Sequence, residues 1–293
     1  MSTSKLAQLA KRGVVRASGA DTIKLLDGLV TNSLARLEQQ TAIHTGLLSP
    51  QGKILFDFFV VPDGDDLLFD VQRDQIGELI KRLQFYRLRA AVEFCDESEQ
   101  LTVAVAWGGN DISAPGGVIV FADPRNDQLG LRMILPRDRL RELAGDIVEE
   151  TAYHAHRIEI GVPDAGLDYA LTDTFPHEAL YDELSSVDFR KGCFIGQEVV
   201  SRMQHRGSAR KRIIPVVGEG ALTPDAEITA GDSVIGRIGS VSDTRALALV
   251  RLDRADEAKH KGVSLTAGGV ALSLAKPLWM KLDIATGKTA EQS

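Results

Sequence analysis

Cysteine is nearly absent from this chain: there are two among 293 residues, Cys95 and Cys193, 98 positions apart. No CxxC pair exists, so a disulfide framework is excluded, and so is a four-ligand zinc or cluster site built within the chain; transient or shared ligation with a partner stays open. A basic excess is also missing. With 34 Lys and Arg against 41 Asp and Glu the net charge is -7, which argues against a general affinity for nucleic acid or an anionic membrane surface. Apolar runs such as ILFDFFVV are too short to cross a bilayer, and the N-terminal MSTSKLAQLAKRG lacks the apolar core of a secretory signal. These absences lead to the expectation of a cytoplasmic protein with reduced thiols. No glycine-rich phosphate loop follows any strand-like segment.

What is present is ordinary globular material, 44% apolar and 26% charged, in a chain long enough for roughly two domains. GVVRA at 13–17 reads as a strand, and ADTIKLLDGLV as a helix with Ile23, Leu26 and Val30 on one face. TAIHTGLLS and ILFDFFVVP read as a hairpin joined by Ser49-Pro50-Gln51-Gly52-Lys53. Further strands are expected at DLLFDVQ, AVEFCDE, LTVAVAW and LGLRMILP, and helices from Asp74, over RDRLRELAG and over TAYHAHRIEIG. Strands paired through tight turns favour α+β over a doubly wound sheet. Residues 165–190 hold no period, and long irregular segments are often functional. From Arg212 short glycine-punctuated strands predict a small antiparallel β-barrel. The expected division is residues 1–210, residues 211–285 as the barrel, and a tail at 286–293.

The stretch Lys191-Gly192-Cys193-Phe194-Ile195-Gly196-Gln197-Glu198 holds one of the two thiols. It reads as a turn running into a helix whose apolar face is Val199, Val200 and Met203. A cysteine near a helix start with a lysine two residues away has surroundings that favour the thiolate; a small buried hydrophobe is the other reading, and the residues leave both open. Histidines at 154, 156, 177 and 205 are available to a hydrolase, but nothing in the sequence pairs one with Cys193. Arg202, Arg206, Arg210, Lys211 and Arg212 follow as a basic run, either a solvated helix end or a docking patch for a carboxylate or phosphate. Cys95 reads as structural.

KGCFIGQE resembles the signature of the YgfZ-type folate-binding proteins, relatives of the glycine-cleavage T-protein (aminomethyltransferase) and of mitochondrial iron-sulfur assembly factors. VVRASGADTIKLLDGLVTNSL, LLSPQGKILFDFFVV, RIEIGVPD, TFPHEALYDELSSVDFRKGCFIGQE and SVIGRIGSVS extend the likeness over roughly residues 10 to 280. The resemblance implies two α+β subdomains, discontinuous in sequence, plus the C-terminal barrel, around a central cleft for tetrahydrofolate. It implies an accessory factor for iron-sulfur cluster assembly or repair, with assembly or client proteins as partners and no resident metal. In that reading Cys193 is the reactive thiol, Lys191 its tuner, and Gly192, Gly196, Gln197 and Glu198 shape the loop. Asp57, Glu178 and Arg202 are placed as folate contacts. T-protein relatives carry two consecutive acids where this chain has Phe56-Asp57, which puts aminomethyl transfer in doubt; Asp57 also fits an outward-facing strand residue. A tetrahydrofolate-dependent aminomethyl- or methyltransferase is the alternative, and a folate-binding regulator without chemistry a third reading. Arg157 and Glu159 match a superfamily Arg-x-Glu-x-Gly run and read as scaffold.

Overall fold

The computed structural model describes residues 3–109, 112, 114–206 and 209–284. The tail expected at 286–293 lies outside these residues, as does the Arg206 side chain. The chain forms two units that interleave along the sequence: Met1–Leu48, Leu55–Tyr153 and Ser185–Ile195 make the first, and Ser49–Ile54, His154–Leu184 and Gly196–Ser293 make the second.

In the first unit the strands are β1 (Lys5–Gln8), β2 (Arg12–Ser18), β3 (Ile43–Leu48), β4 (Ile54–Asp63), β5 (Asp66–Gln72), β6 (Glu93–Asp96), β7 (Leu101–Trp107), β8 (Ile119–Ala122), β9 (Leu131–Pro136) and β10 (Asp146–Ile147), with helices α1 (Thr22–Asp27) and α2 (Ile76–Arg87). They build two five-stranded sheets, ordered β10-β1-β7-β9-β8 and β3-β4-β5-β2-β6. Side chains of β4 alternate, as a strand requires. Phe56, Phe58 and Val60 share a core with Leu26 of α1 and Leu79 and Leu83 of α2. Phe59 and Val61 join Val103 and Val105 of β7 and Ile134 of β9 in a core between the sheets. A smaller cluster, including Leu6, Ala104, Met133 and Leu143, covers the far face. Burying a large apolar side chain contributes about 1.5–3 kcal/mol, so the alternation alone fixes which face each strand turns inward. The β4–β5 hairpin closes with Asp63 opposite Asp66. Gly64 in its two-residue turn takes φ +62°, which glycine adopts without strain.

Charge also sits between the sheets. Asp70 on β5 binds Arg12 Nε at 2.5 Å and Arg132 Nε at 3.0 Å. Asp123 binds Arg125 through Nε at 3.0 Å and Nη2 at 2.8 Å, with Arg132 Nη1 3.5 Å away. All five side chains are buried, and the three guanidiniums lie 5.6, 4.9 and 4.1 Å from the Phe59 ring centre.

The second unit contains most of α3 (Glu150–Ile160), then α4 (Gln197–Arg206), α5 (Leu252–His260) and a closed six-stranded barrel of β11 (Lys211–Gly218), β12 (Glu227–Ala230), β13 (Ser233–Ser242), β14 (Arg245–Arg251), β15 (Leu265–Ala267) and β16 (Val270–Leu274). Barrel closure leaves no free edge. Gly161 ends α3 at φ +91°, and a Cβ there would lie 2.7 Å from Pro215 and 2.8 Å from Pro277. Arg157, read as scaffold, is fully buried and bonds Asp168 at 2.6 Å, the Val162 carbonyl at 3.1 Å and Ser240 Oγ at 3.0 Å.

Several expectations are revised. Helix α1 stops at Asp27, and Ile23, expected on its apolar face, is exposed. Residues 137–142 form a 3₁₀ helix, too short a segment to sustain the α-helical pattern. Strands β1 and β10 and helix α5 had no sequence reading. Cys95 is exposed, on β6 at the edge of its sheet.

Candidate functional site

The segment that leads into the cysteine motif is clamped by the turn after α1. Thr31 Oγ1 donates to the Ser186 carbonyl at 2.7 Å, and Asn32 Nδ2 donates to the carbonyls of His44 at 2.9 Å and Ser185 at 2.7 Å. The Asp188 N–H donates to the Thr31 carbonyl at 3.0 Å. Ser185 itself takes φ +54°, an uncommon conformation for a residue with a Cβ.

Lys191 has a role the sequence reading did not foresee. Its side chain is 2% exposed, and Nζ donates to three carbonyls: Asp27 at 2.7 Å, Val30 at 2.9 Å and Asn32 at 2.9 Å. Three donors meet three acceptors, so the ammonium is spent at the C-terminal end of α1, where a cation is favoured. Burial lowers its pKa from the ordinary lysine value, and Asp27 opposes that shift. Three residues on, Phe194 is buried, and Ile195 after it packs on the helix-side core. Cys193 lies between these anchors and is exposed. Its Sγ makes no hydrogen bond among the described residues. The arrangement presents a free thiol on a clamped loop.

The glycines of the motif differ. Gly196 adopts φ +80° just before α4 and needs glycine's freedom. A Cβ on Gly192 would meet nothing within 4 Å. Gln197 opens α4 half-buried, while Glu198 and Arg202 pair with each other across one exposed helical turn. Arg212, expected in a basic docking run, is fully buried; its Nη1 holds Asp182 at 2.7 Å and the His177 carbonyl at 2.8 Å. That geometry removes it from any surface patch.

Asp57 is buried rather than outward-facing, in a chain of polar groups the sequence did not reveal. His44 Nε2 lies 3.1 Å from Asp57 Oδ2, and His44 Nδ1 lies 2.6 Å from Ser186 Oγ. The ring of His44 packs 4.8 Å from that of Phe59. One signal was available: Asp57 is the lone charge in the strand segment ILFDFFVV, both faces of which are otherwise apolar.

Glu178 is half-buried in the second unit, where the Phe175 N–H donates to its Oε2 at 2.8 Å. Oε1 has no partner among the described residues. Burial raises the Glu178 carboxyl above the ordinary glutamate value, against the Phe175 bond and the charge of Lys53. Lys53 Nζ donates to the Asp173 carbonyl and lies 3.6 Å from the Phe175 ring centre. Backbone bonds between Ile54 and Thr174 at 2.9 Å and between Thr172 and Ile54 at 2.7 Å tie the Ser-Pro-Gln-Gly-Lys turn to the approach to Glu178. Among the described residues no group of three or more His, Cys, Asp or Glu could hold a metal ion, and no helix is long and apolar enough to cross a membrane.

A solved structure of glycine cleavage system aminomethyltransferase T from Bartonella henselae superposes with a TM-score of 0.74 over 98% of this chain and 88% of that one, at 14% identity. The fold is aminomethyltransferase-like. Residues 210–282 match the family model for the C-terminal β-barrel domain of CAF17. The chain is also related in sequence to iron-sulfur cluster assembly factors. It is 36% identical over 239 residues to the mitochondrial IBA57 homolog of Mycosarcoma maydis, spanning 76% of this chain and 59% of that protein. With the mitochondrial IBA57 homolog of Pyricularia oryzae it is 33% identical over 226 residues, 73% of this chain and 58% of that protein. The chain thus spans less than two thirds of the length of these relatives. Their names place them in mitochondria, which overturns the cytoplasmic expectation. That expectation rested on the lack of a secretory signal, and the make-up of a folded domain does not record which compartment holds it.

Proposed function

We propose that the protein is a tetrahydrofolate-binding accessory factor for iron-sulfur cluster assembly or repair, of the YgfZ type, with Cys193 as its reactive thiol. The observation that carries this reading is the sequence relation to iron-sulfur cluster assembly factors across three quarters of the chain. The exposed, hydrogen-bond-free thiol supports it, because a sulfur that exchanges with a partner must be reachable.

The residues present fit a reduced pterin. Glu178 keeps one carboxylate oxygen without a protein partner, and a carboxylate accepts the N–H donors of an aminopterin edge. Asp57 would act through, or alongside, its His44 partner. Tetrahydrofolate, when bound, supplies nucleophilic nitrogens that carry one-carbon units. Asp57, as the single acid of the hairpin, is held near an imidazole and out of solvent, which favours the accessory role over the aminomethyltransferase alternative.

Two measurements test the proposal. Calorimetric titration with tetrahydrofolate is expected to show binding at tens of micromolar or tighter, weakened roughly tenfold in Glu178→Gln, since a lost charge-assisted hydrogen bond costs about 1.5 kcal/mol. Absence of heat at those concentrations removes folate from the reading. In a host lacking the gene, wild type is expected to restore iron-sulfur enzyme activities and Cys193→Ala to fail; full restoration by the variant removes the thiol's role. Formation of methylene-tetrahydrofolate from an amine donor, abolished by Asp57→Asn, would instead establish the transferase.

A further inference from the structure

The first unit exposes three large apolar side chains on its helical elements, one on α1 and two at the C-terminal end of α2. Ile23 is 60% exposed, Phe85 73% and Leu88 86%. The Asp21 carboxylate accepts the Ala91 N–H at 2.8 Å, which brings the start of α1 against the chain leaving α2. Scattered exposed apolar residues are ordinary, but Leu88 is not. It is the residue that ends α2, and it holds φ +48° and ψ -105°. Glycine adopts positive φ freely and is the common helix terminator, so a leucine there carries backbone strain and an exposed apolar side chain together.

Cations share the same stretch of chain. Residues 81–89 read KRLQFYRLR, four cations and no acid, in a chain of net charge -7. Lys81, Arg82, Arg87 and Arg89 are exposed, as is Lys24 on α1. Lys81 stands 3.7 Å from Glu78, and Arg87 donates to the Val92 carbonyl at 3.1 Å. Arg82, Arg89 and Lys24 make no ion pair among the described residues. An exposed aromatic and an exposed leucine interleaved with arginines have the composition of an interface centre with its polar rim.

We propose that this face docks an iron-sulfur protein whose surface offers an apolar depression rimmed by carboxylates. The identity of the occupant rests on the iron-sulfur reading above. A protein partner fits better than an anionic bilayer. The inner residues of α2, Ile76, Leu79 and Leu83, are buried in the core, which leaves no apolar stripe for lipid, and the overall negative charge repels an extended anionic plane. A partner with a local acidic patch meets only the local cations, within a Debye length of about 8 Å.

The test is binding of a purified acidic [2Fe–2S] ferredoxin to the full chain at low salt, with wild type, Phe85→Ser and Leu88→Gly compared. Each variant is expected to weaken binding roughly 30-fold, and raising salt to weaken wild type about tenfold. Leu88→Gly is also expected to leave the melting temperature unchanged or slightly raised, because glycine relieves the positive φ; this separates a lost contact from a lost fold. Wild type that does not bind, or affinity unchanged in both variants, overturns the proposal, as does binding of the same strength to 30% phosphatidylserine vesicles. Complementation separates this from the underlying reading: if wild type restores iron-sulfur enzyme activities and both variants restore them equally, the docking face falls and the assembly role stands. If wild type restores nothing, the assembly role falls with it.

Discussion

The two units bury charge in opposite ways. Between the sheets of the first, two carboxylates are shared among three guanidiniums, with Asp70 alone serving Arg12 and Arg132. In the second unit each buried arginine has its own carboxylate: Arg157 with Asp168 at 2.6 Å and Arg212 with Asp182 at 2.7 Å. The sheets already have ladders to fix their strands and apolar faces to bring them together, so the shared network adds a polar tie within that core. The irregular segment 162–184 belongs to no sheet; besides backbone bonds to Ile54 and Ile213, one ion pair ties it to α3 and another to β11. Removing one partner of a buried pair leaves the other uncompensated, which is the expensive event in both units.

Asp70→Asn strands the Arg12 guanidinium and leaves Arg132 only its longer contact with Asp123, and it is expected to cost about 4 kcal/mol, read from the urea midpoint with unchanged slope. Trp107 reports the first unit and Trp279 the second, so single-tryptophan variants show where the loss falls. The same probes follow acid unfolding. Burial pushes the Asp123 carboxyl up, but the charges and hydrogen bonds of Arg125 and the charge of Arg132 outweigh it and hold it below the usual aspartate value. Its stabilising contribution is therefore complete above the unfolded aspartate pKa of about 3.9 and is lost as pH falls through the lower folded value. Arg212→Met strands one carboxylate and is expected to cost about 3 kcal/mol, seen first at Trp279. A larger loss than Asp70→Asn would break the contrast between shared and single pairing.

Smaller effects sharpen the comparison at the motif. Lys191→Met leaves three carbonyls without their donor and is expected to cost about 2 kcal/mol, with faster amide exchange over residues 185–195. Gly196→Ala, at φ +80°, is expected to cost about 1 kcal/mol, and Gly192→Ala to be neutral within 0.5 kcal/mol by the same urea titration.

Much of the frame was legible because alternation is strong in segments such as ILFDFFVV and DLLFDVQ, and because glycine and proline mark their turns. The barrel's short strands were legible for the same reason. What escaped was set by distant partners. Lys191 reads as a neighbour of Cys193 in sequence, yet its ammonium is bound more than 150 positions away at Asp27, Val30 and Asn32. Arg212 looked like one member of a surface run, although it is buried against His177 and Asp182 of the irregular segment while its neighbour Lys211 stays exposed. His44 and Ser186 carried no local signal at all. Their meeting depends on β3 lying beside β4 and on Thr31 holding the Ser186 backbone.

The alternation of the two units along the chain has a consequence for synthesis. The first unit takes its last segment, Ser185–Ile195, from two thirds of the way along the 293-residue chain, and the second draws Ser49–Ile54 from near its beginning. Once 150 residues have emerged from the ribosome, every strand of the two sheets is available, but the segment bearing Ser186, Lys191 and Phe194 is not. The nascent protein must therefore wait for the cysteine motif before its first unit is whole, so the loop that carries Cys193 is among the last parts of that unit to be put in place.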